Sequence, residues 1–373
     1  MTNDARPIRV LLVGPSLAIV GGQSVQLKRL LDKLETLPGI VPGFLAVNPA
    51  LPGPLGALQR VKFVRTIVTS VAYVFSLLRT VPRYDVIHAF SASYWSFILA
   101  PLPAMLIGRL FGKRVVLNYH SGEAEDHLTR WRRTALPAMR LAHRIVVPSG
   151  YLVDVFARFG LPAIAIHNFV DVERFPYRER PTPRPIFLSN RNLQGLYNVG
   201  CIIRAFAVVR RVMTEARLLV AGFGPERARL EALADELGVR DAVVFRGKVT
   251  PDEMAQLYDE ADVYLNSPDI DNMPLSLIEA SAAGLPVVTT DAGGIPWMVT
   301  PDVTGVLVPR GDHEALAAGA LRVVREPGFG AGLAARARAH CLATYTWEAT
   351  GRGWRALYVG LVDAPPVEAH AAA

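Results

Sequence analysis

Short apolar runs alternate with stretches of helical period along almost the whole chain, and that alternation leaves few folds open. Runs at 8–13, 85–90, 115–118 and 145–147 recur between helical segments, and the pattern resumes at 186–188, 216–221, 243–245 and 263–265. Strands separated by helices pair in parallel, because a parallel neighbour is reached only through a crossover of about a dozen or more residues. Between the two series lies PYRERPTPRP, residues 176–185, where prolines and charges replace apolar periodicity and the chain reads as a linker. The expected fold class is α/β, with two parallel-sheet domains facing one another and a ligand in the cleft between them.

The most informative stretch is 266–298, NSPDIDNMPLSLIEASAAGLPVVTTDAGGIPWM. A strand ends just before it, and Pro274 suits the first turn of the helix that follows, since its missing N–H would have no partner there anyway. Asp271 or Asn272 is the expected cap. Leu275, Ile278 and Ala282 share a helical face, and Gly284 followed by Pro286 ends the helix before a buried strand at 287–290. The free N–H groups of such a helix point past the strand ends, where open α/β sheets hold phosphates. Asp271 and Glu279 add carboxylates that accept hydrogen bonds from sugar hydroxyls. A nucleotide sugar fits a site for both phosphates and hydroxyls; the plainer reading is a capped helix with solvated carboxylates.

A length of 373 residues suffices for two domains with separate cores. Cys201 and Cys341 are the only cysteines, so neither a disulfide framework nor a zinc site is expected, and a reducing cytoplasm is the simplest compartment. Residues 1–10 hold no apolar signal core, so export is not expected. Residues 94–110 form the longest apolar tract, but Pro101, Pro103 and Arg109 leave it short of the roughly 18 uninterrupted apolar residues of a membrane span, and it reads as a buried helix.

Charge is uneven: residues 1–180 carry 22 Lys and Arg against 11 Asp and Glu, the remainder 18 against 22. That points the first half toward an anionic partner, a membrane surface or a nucleic acid, the plainer reading being a solvated arginine-rich face. Residues 61–78 repeat with helical period between Arg60, Lys62 and Arg65 at one end and Arg79 and Arg83 at the other. They read as a helix covering a sheet, the alternative being a basic amphipathic helix on a membrane surface. Arg130, Arg132, Arg133, Arg140 and Arg144 follow on a further helix. No nucleic-acid motif or base-stacking set of aromatics accompanies these cations, so no nucleic-acid partner is expected.

Two glycine turns sit between strands and helices: Gly21-Gly22-Gln23-Ser24 before a helix marked by Leu27, Leu30, Leu31 and Leu34, and Gly222-Phe223-Gly224-Pro225 after the strand at 216–221. Glycines before a helix, as in the first of these, let backbone amides approach a phosphate, although that turn spells neither GxGxxG nor a P-loop and its plainer reading is an ordinary turn. His120 lies just past a strand end, where such folds place ligand-contacting side chains, the plainer reading being a solvated loop histidine.

From Arg191 onward the chain resembles glycosyltransferase family 4. The matching pieces are AGFGPERARLEALADELGVRDAVVFRGKV, PDEMAQLYDEADVYLNSP, PLSLIEASAAGLPVVTTDAGGIP and TGVLVPRGD; Gly21-Gly22, NYHSGE and IHNFVDVERF are weaker matches in the first half. The resemblance implies the GT-B arrangement of two Rossmann-like domains, here 1–175 on the acceptor side and 186–345 on the nucleotide-sugar side. The linker 176–185 joins them, a helix at 346–363 returns to the first domain, and 364–373 is a tail. It also implies roles. Glu279 would hold the ribose, Asp271 and His120 would lie by the donor sugar, and Arg191 would neutralise the diphosphate. The amides around Asn272, Met273, Pro274 and Leu275, Pro274 itself lacking an N–H, would surround the distal phosphate, with Gly21, Gly22, Gly222 and Gly224 as further donor-binding positions. No cofactor and no metal are implied, the nucleotide sugar being a substrate, and the partner is a glycan or lipid-linked acceptor, with an anionic membrane surface as a further partner at the inner face of the plasma membrane.

Three positions depart from the family pattern. Asp271 is a methylene shorter than the usual Glu, Tyr197 and Asn198 stand where a Lys is expected, and Trp297 replaces a common Glu after GGIP. Tyr197→Lys is therefore expected to strengthen diphosphate binding. Asp269-Ile270-Asp271 spells DxD, the metal signature of a different, single-domain glycosyltransferase fold, and is discounted on the two alternating halves. The implied chemistry is retention of anomeric configuration by front-face substitution, driven mainly by electrostatic stabilisation of the leaving diphosphate. The competing readings are a degenerate binding protein without turnover and a GT-B sugar-nucleotide epimerase.

Overall fold

The computed structural model describes residues 6–17, 21–49 and 64–363. Arg60, Val61 and Lys62 of the basic helical segment, and the tail 364–373, lie outside the described residues. The chain divides into two compact units, the first formed by Met1–Pro148, Leu152–Ile166 and Thr350–Ala373 and the second by Ser149–Tyr151 and His167–Ala349.

The first unit holds six parallel strands, β1 (Ile8–Gly14), β2 (Ile40–Ala46), β3 (Val86–Ser91), β4 (Arg114–Tyr119), β5 (Arg144–Val147) and β6 (Ala163–Ala165), in the order β2-β1-β3-β4-β5-β6. Val10 to Val13, Val115 to Leu117 and Val146 are fully buried, as strands covered on both faces require. Pro42, which cannot donate to a ladder, sits on the edge strand β2. The order reverses between β1 and β3, which opens a crevice at the carboxyl ends of those two strands.

Helices α1 (Gly22–Leu34), α2 (Val64–Thr80), α3 (Trp95–Leu99), α4 (Pro101–Leu110), α5 (Ala124–Arg130), α6 (Arg132–Met139) and α7 (Gly150–Arg158) follow the strands. Three expectations change here. The tract 94–110 is two helices broken before Pro101; Phe97, Ala104, Met105 and Ile107 are buried while Trp95, Leu99, Leu106 and Leu110 are exposed, so it is buried on one face only. Helix α2 buries only Tyr73 and Leu77; Ile67, Val71 and Phe75 are 66%, 64% and 56% exposed, so an apolar face is left uncovered and α2 does not simply cover the sheet. Arg144 opens β5 and is not helical, because the helix ends at Met139.

The second unit contains β7 (Ile186–Ser189), β8 (Arg217–Ala221), β9 (Val243–Gly247), β10 (Val263–Asn266), β11 (Val287–Thr290) and β12 (Val306–Val308), all parallel, in the order β12-β11-β10-β7-β8-β9. Read from β7, this is the strand order of dinucleotide-binding folds, with its reversal between β7 and β10. Its helices are α8 (Val199–Val212), α9 (Arg227–Glu236), α10 (Pro251–Glu260), α11 (Leu275–Ala282), α12 (His313–Arg325), α13 (Phe329–Thr344) and α14 (Trp347–Asp363). Residues of α14 from Thr350 onward belong to the first unit, where Tyr358 places its hydroxyl 2.7 Å from His88 Nδ1.

The segment 176–185, read as a linker, is anchored within the second unit. Arg178 and Arg184 donate to the Asp262 carboxylate at 2.5 and 2.9 Å, and fully buried Arg180 lies 3.6 Å from it while donating to the carbonyls of Ala261, Ala283 and Tyr258. Burial alone would raise the Asp262 pKa, but the hydrogen bonds from Arg184 and Arg178 hold it at about 2. Prolines and charges read as flexible in the sequence because the acid they address lies about 80 residues away.

Candidate active site

The carboxyl end of β7 delivers Arg191 and that of β10 delivers Asp271, so both arrive at the reversal point of the second sheet. Their side chains meet. Arg191 Nη2 donates to Asp271 Oδ2 at 2.5 Å, and Nη1 donates to Ser276 Oγ at 3.0 Å. Tyr197 lays its ring over the guanidinium at 4.1 Å from the centroid. Burial works against the charge of Arg191, but Asp271 beside it keeps its pKa above the ordinary value. Nε of Arg191 is buried with no hydrogen-bond partner among the described residues, so a donor remains open although the residue is only 9% exposed. Buried donors are rarely left without a partner, so this one is available to a water or to a ligand atom.

Asp271 does not cap the helix. Pro274 occupies the capping position, one residue before the first turn, in extended conformation, and no side chain caps α11. Asp271 instead takes the Arg191 guanidinium on one oxygen and accepts the Asn272 N–H at 2.8 Å on the other. That amide is therefore engaged, whereas the N–H groups of Met273 and Leu275 have no partner among the described residues. Asn272 is 2% exposed; its Oδ1 accepts from Ser149 Oγ at 2.5 Å and its Nδ2 is buried without a partner.

Glu279, one turn along α11, accepts from Tyr258 Oη at 3.2 Å. Tyr258 Oη in turn accepts from Asn190 Nδ2 at 2.7 Å, and Tyr264 donates to Asn190 Oδ1 at 2.7 Å, so a buried network supports the carboxylate from below. Burial and the neighbouring Glu279 push the Tyr258 pKa well up, leaving it a neutral donor. Sequence reading missed Asn190, Tyr258 and Ser276; only the position of Asn190 next to Arg191 hinted at a role.

Gly222 and Gly224 have a reason that needs no ligand. Each has positive φ (148° and 158°), and a Cβ would come within 2.2 Å of the Arg191 and Leu193 carbonyl oxygens, so they let the loop after β8 press on the strand end that carries Arg191. Gly21 and Gly22 differ: Gly21 is extended at φ −172°, and a Cβ on either would meet nothing within 4 Å. The fold imposes no glycine there, and the space is open to a ligand.

His120 follows β4 in the first unit, stacked on Phe90 at 5.4 Å, which itself stacks on His88 at 5.0 Å. Burial lowers the His120 pKa to about 4, so its ring is neutral at pH 7, and Nε2 is buried with no partner among the described residues. Trp297 covers Gly150, where a Cβ would meet its ring at 2.8 Å, and packs on Tyr151 with ring centroids 5.6 Å apart and planes tilted by 59°; it stands where the resemblance led one to expect a carboxylate. The two acids of the DxD spelling go separate ways, Asp269 accepting from Asn198 Nδ2 at 3.1 Å and Asp271 holding Arg191.

The profile described as Glycosyltransferase Family 4 matches residues 20–174, and that of Glycosyl transferases group 1 matches 172–340. The chain belongs to glycosyltransferase family 4. The GDP-mannose-dependent alpha-(1-6)-phosphatidylinositol monomannoside mannosyltransferase of Mycolicibacterium smegmatis is 27% identical over 280 residues, 69% of this chain and 73% of that protein. The amylovoran biosynthesis glycosyltransferase AmsK of Erwinia amylovora is 27% identical over 57% of this chain and 56% of its own length, so the alignment spans little more than half of that relative. The crystal structure of HepE from Anabaena in complex with UDP superposes with a TM-score of 0.76 at 16% identity, over 95% of this chain and all of that one. The fold is GT-B, two Rossmann-like parallel-sheet domains of six strands each.

Proposed function

We propose that this glycosyltransferase moves a sugar, with retention, from a nucleotide-sugar donor to a cell-surface polysaccharide or lipid-linked glycan, without a metal or cofactor. The observation that carries the reading is Arg191: a buried cation at a sheet reversal point, with an open Nε donor beside the unoccupied amides of Met273 and Leu275. Those donors suit a diphosphate, and the N-terminal end of α11 adds its positive dipole. Glu279, held by Tyr258, accepts from the ribose hydroxyls, while Asn272 Nδ2 and Asp271 face the donor sugar. Within the first unit, taken by itself, we assign donor-binding roles to His120, a neutral imidazole whose Nε2 has no partner among the described residues, and to the open turn at Gly21 and Gly22.

In the transition state the sugar gains positive charge and the leaving diphosphate negative charge, so Arg191 and the amides stabilise what develops on the leaving group. Asp271 is held in an ion pair, which argues against its serving as a nucleophile in a double displacement. A front-face route, with the departing phosphate accepting the acceptor's proton, needs no second carboxylate. HepE complexes with UDP and with UDP-glucose, and a relative that uses GDP-mannose on a phosphatidylinositol mannoside, support a nucleotide donor and a lipid-linked acceptor.

We further propose peripheral attachment at the cytoplasmic face of the membrane. Residues Val64–Arg83 are long and apolar enough to span a bilayer by length and composition, but fully buried Tyr73 and Leu77, with the Tyr73 hydroxyl on the Ala100 carbonyl at 2.8 Å, tie the helix to the first unit. An exposed apolar face flanked by Arg65, Arg79 and Arg83 suits the interfacial plane. A panel of UDP and GDP sugars tests the function: no turnover of any donor, or hydrolysis without product on any glycan or lipid-linked acceptor, overturns it. Retention of the protein in the supernatant with anionic vesicles at low salt overturns the attachment.

A further inference from the structure

Two adjoining cavities in the first unit are lined by none of the residues assigned above to the donor. One, of about 610 Å³, lies at the reversal point of the sheet and is lined by Gly14, Gln23, Phe90 and Trp95 together with Thr66 and Thr69 of α2. The other, of about 670 Å³, is lined by Trp95, Ile98, Trp131 and the arginines Arg130, Arg132 and Arg133. Trp95 is the wall they share. Its side chain is 68% exposed and meets Trp131 edge to face, with ring centroids 5.4 Å apart and an interplanar angle of 88°. Two perpendicular indoles give a flat apolar floor and a side wall, a shape that suits the C–H face of a sugar ring while leaving its hydroxyl edge to polar groups.

The charge around the second cavity is unbalanced. Arg130 is paired with Asp126 at 2.7 Å, whereas Arg132 and Arg133 have no ion-pair partner among the described residues, and no carboxylate lines the cavity. Guanidinium forks favour planar carboxylates through paired hydrogen bonds. Backbone strain marks the same place. Tyr94, immediately before Trp95, has φ 58° and ψ −128°, a conformation a tyrosine holds only when its surroundings insist. They do: its hydroxyl binds Asp126, and its ring packs on His127 at 5.1 Å and Trp131 at 5.7 Å.

We propose that the two cavities form one acceptor site and that it selects an anionic glycan, with a uronate-type carboxylate held by Arg132 and Arg133 while a neighbouring sugar stacks on Trp95. This rests on the transferase reading above and names the class of its acceptor. Calorimetry on the full chain with tetragalacturonate, and with a neutral galactose tetrasaccharide, tests it at low salt. The anionic oligosaccharide should bind roughly tenfold tighter or better. The double variant Arg132→Gln/Arg133→Gln should abolish that preference, and Trp95→Ala should weaken both ligands; all three side chains are exposed, and circular dichroism checks that the variants fold.

Equal binding of the two tetrasaccharides, or a preference that survives the double variant, overturns the proposal. So does displacement of tetragalacturonate by millimolar inorganic phosphate or by anionic lipid vesicles, which would make the arginines a phosphate or headgroup site. UDP and GDP binding on the same protein separates the two levels: if neither nucleotide binds, the transferase reading falls and takes this inference with it. Should a nucleotide bind while tetragalacturonate does not, only the acceptor class is refuted.

Discussion

The two units use the same sheet architecture and finish it differently. In the second, most polar groups are closed on one another, with three arginines on Asp262, Arg191 on Asp271, and Tyr258, Tyr264 and Asn190 beneath Glu279, and the open donors of the site are Arg191 Nε, Asn272 Nδ2 and the amides at the start of α11. In the first, groups are left open: an apolar helix face, two cavities, uncompensated arginines, and histidines kept neutral by burial. A nucleotide diphosphate presents a fixed chemistry, which a rigid polar frame can be built to meet. An acceptor glycan presents a surface, and a surface is met with open space, flat rings and excess charge.

Acid should break this comparison most severely. Burial lowers the pKa of His88 to about 3 and of His120, His127 and His143 to about 4, the last with help from nearby arginines, and all four lie in the first unit. The unfolded chain takes up protons on these rings below about pH 6.5 and the folded chain does not, so stability is complete above that value and is lost as pH falls toward 4. In the second unit, the lowered pKa of Asp262 places its loss below about pH 4. Hydrogen exchange at pH 7 and pH 5 should therefore show the first unit losing protection ahead of the second. Equal loss would mean that the histidines do not set the difference.

Removing the carboxylate that the arginines share should cost the second unit most. Asp262→Ala leaves Arg180 buried without its counter-charge, and breaking such a buried arrangement costs about 3–5 kcal/mol. Denaturant titration measures it, and a change under about 1 kcal/mol would show that segment 176–185 is held by other means.

Glu279→Ala is expected to weaken nucleotide binding by about 1.5–3 kcal/mol, the range for hydrogen bonds to a charged group. Unchanged affinity in calorimetry removes Glu279 from the donor site. The smallest effect concerns Tyr197. Its ring stacks on Arg191, so Tyr197→Lys removes a stacking partner and sets a second cation beside the first, against the expectation that it would strengthen diphosphate binding. Tyr197→Ala should weaken UDP or GDP binding by about 0.5–2 kcal/mol and Tyr197→Phe should leave it nearly unchanged. If Tyr197→Lys binds more tightly than wild type, the stacking is dispensable.

How much of this was legible in the sequence follows the same division. The strands at 263–266 and 287–290 stand where the apolar runs put them, because local pattern and tertiary packing agree there. What the sequence could not carry is partnership at a distance. Asp271 next to a helix start reads as a cap, and only the arrival of Arg191 from another strand turns it into half of an ion pair. Gly222 and Gly224 read as a ligand loop, yet the backbone of the β7 strand end already crowds them. Hydrophobic periodicity in α2 identified a helix but not which face would find a neighbour, since period alone does not distinguish a covered stripe from an exposed one.

The backbone of Tyr94 bears on how this protein would respond to selection in the laboratory. A positive-φ conformation that a glycine adopts freely costs a tyrosine about 1–3 kcal/mol. Tyr94→Gly would relieve that strain but would also remove the hydroxyl's bond to Asp126 and the ring's packing on His127 and Trp131, which outweigh it. A screen for heat tolerance alone should therefore keep Tyr94, and with it the restraint that orients the adjacent indole, so acceptor choice in this loop would survive such a screen.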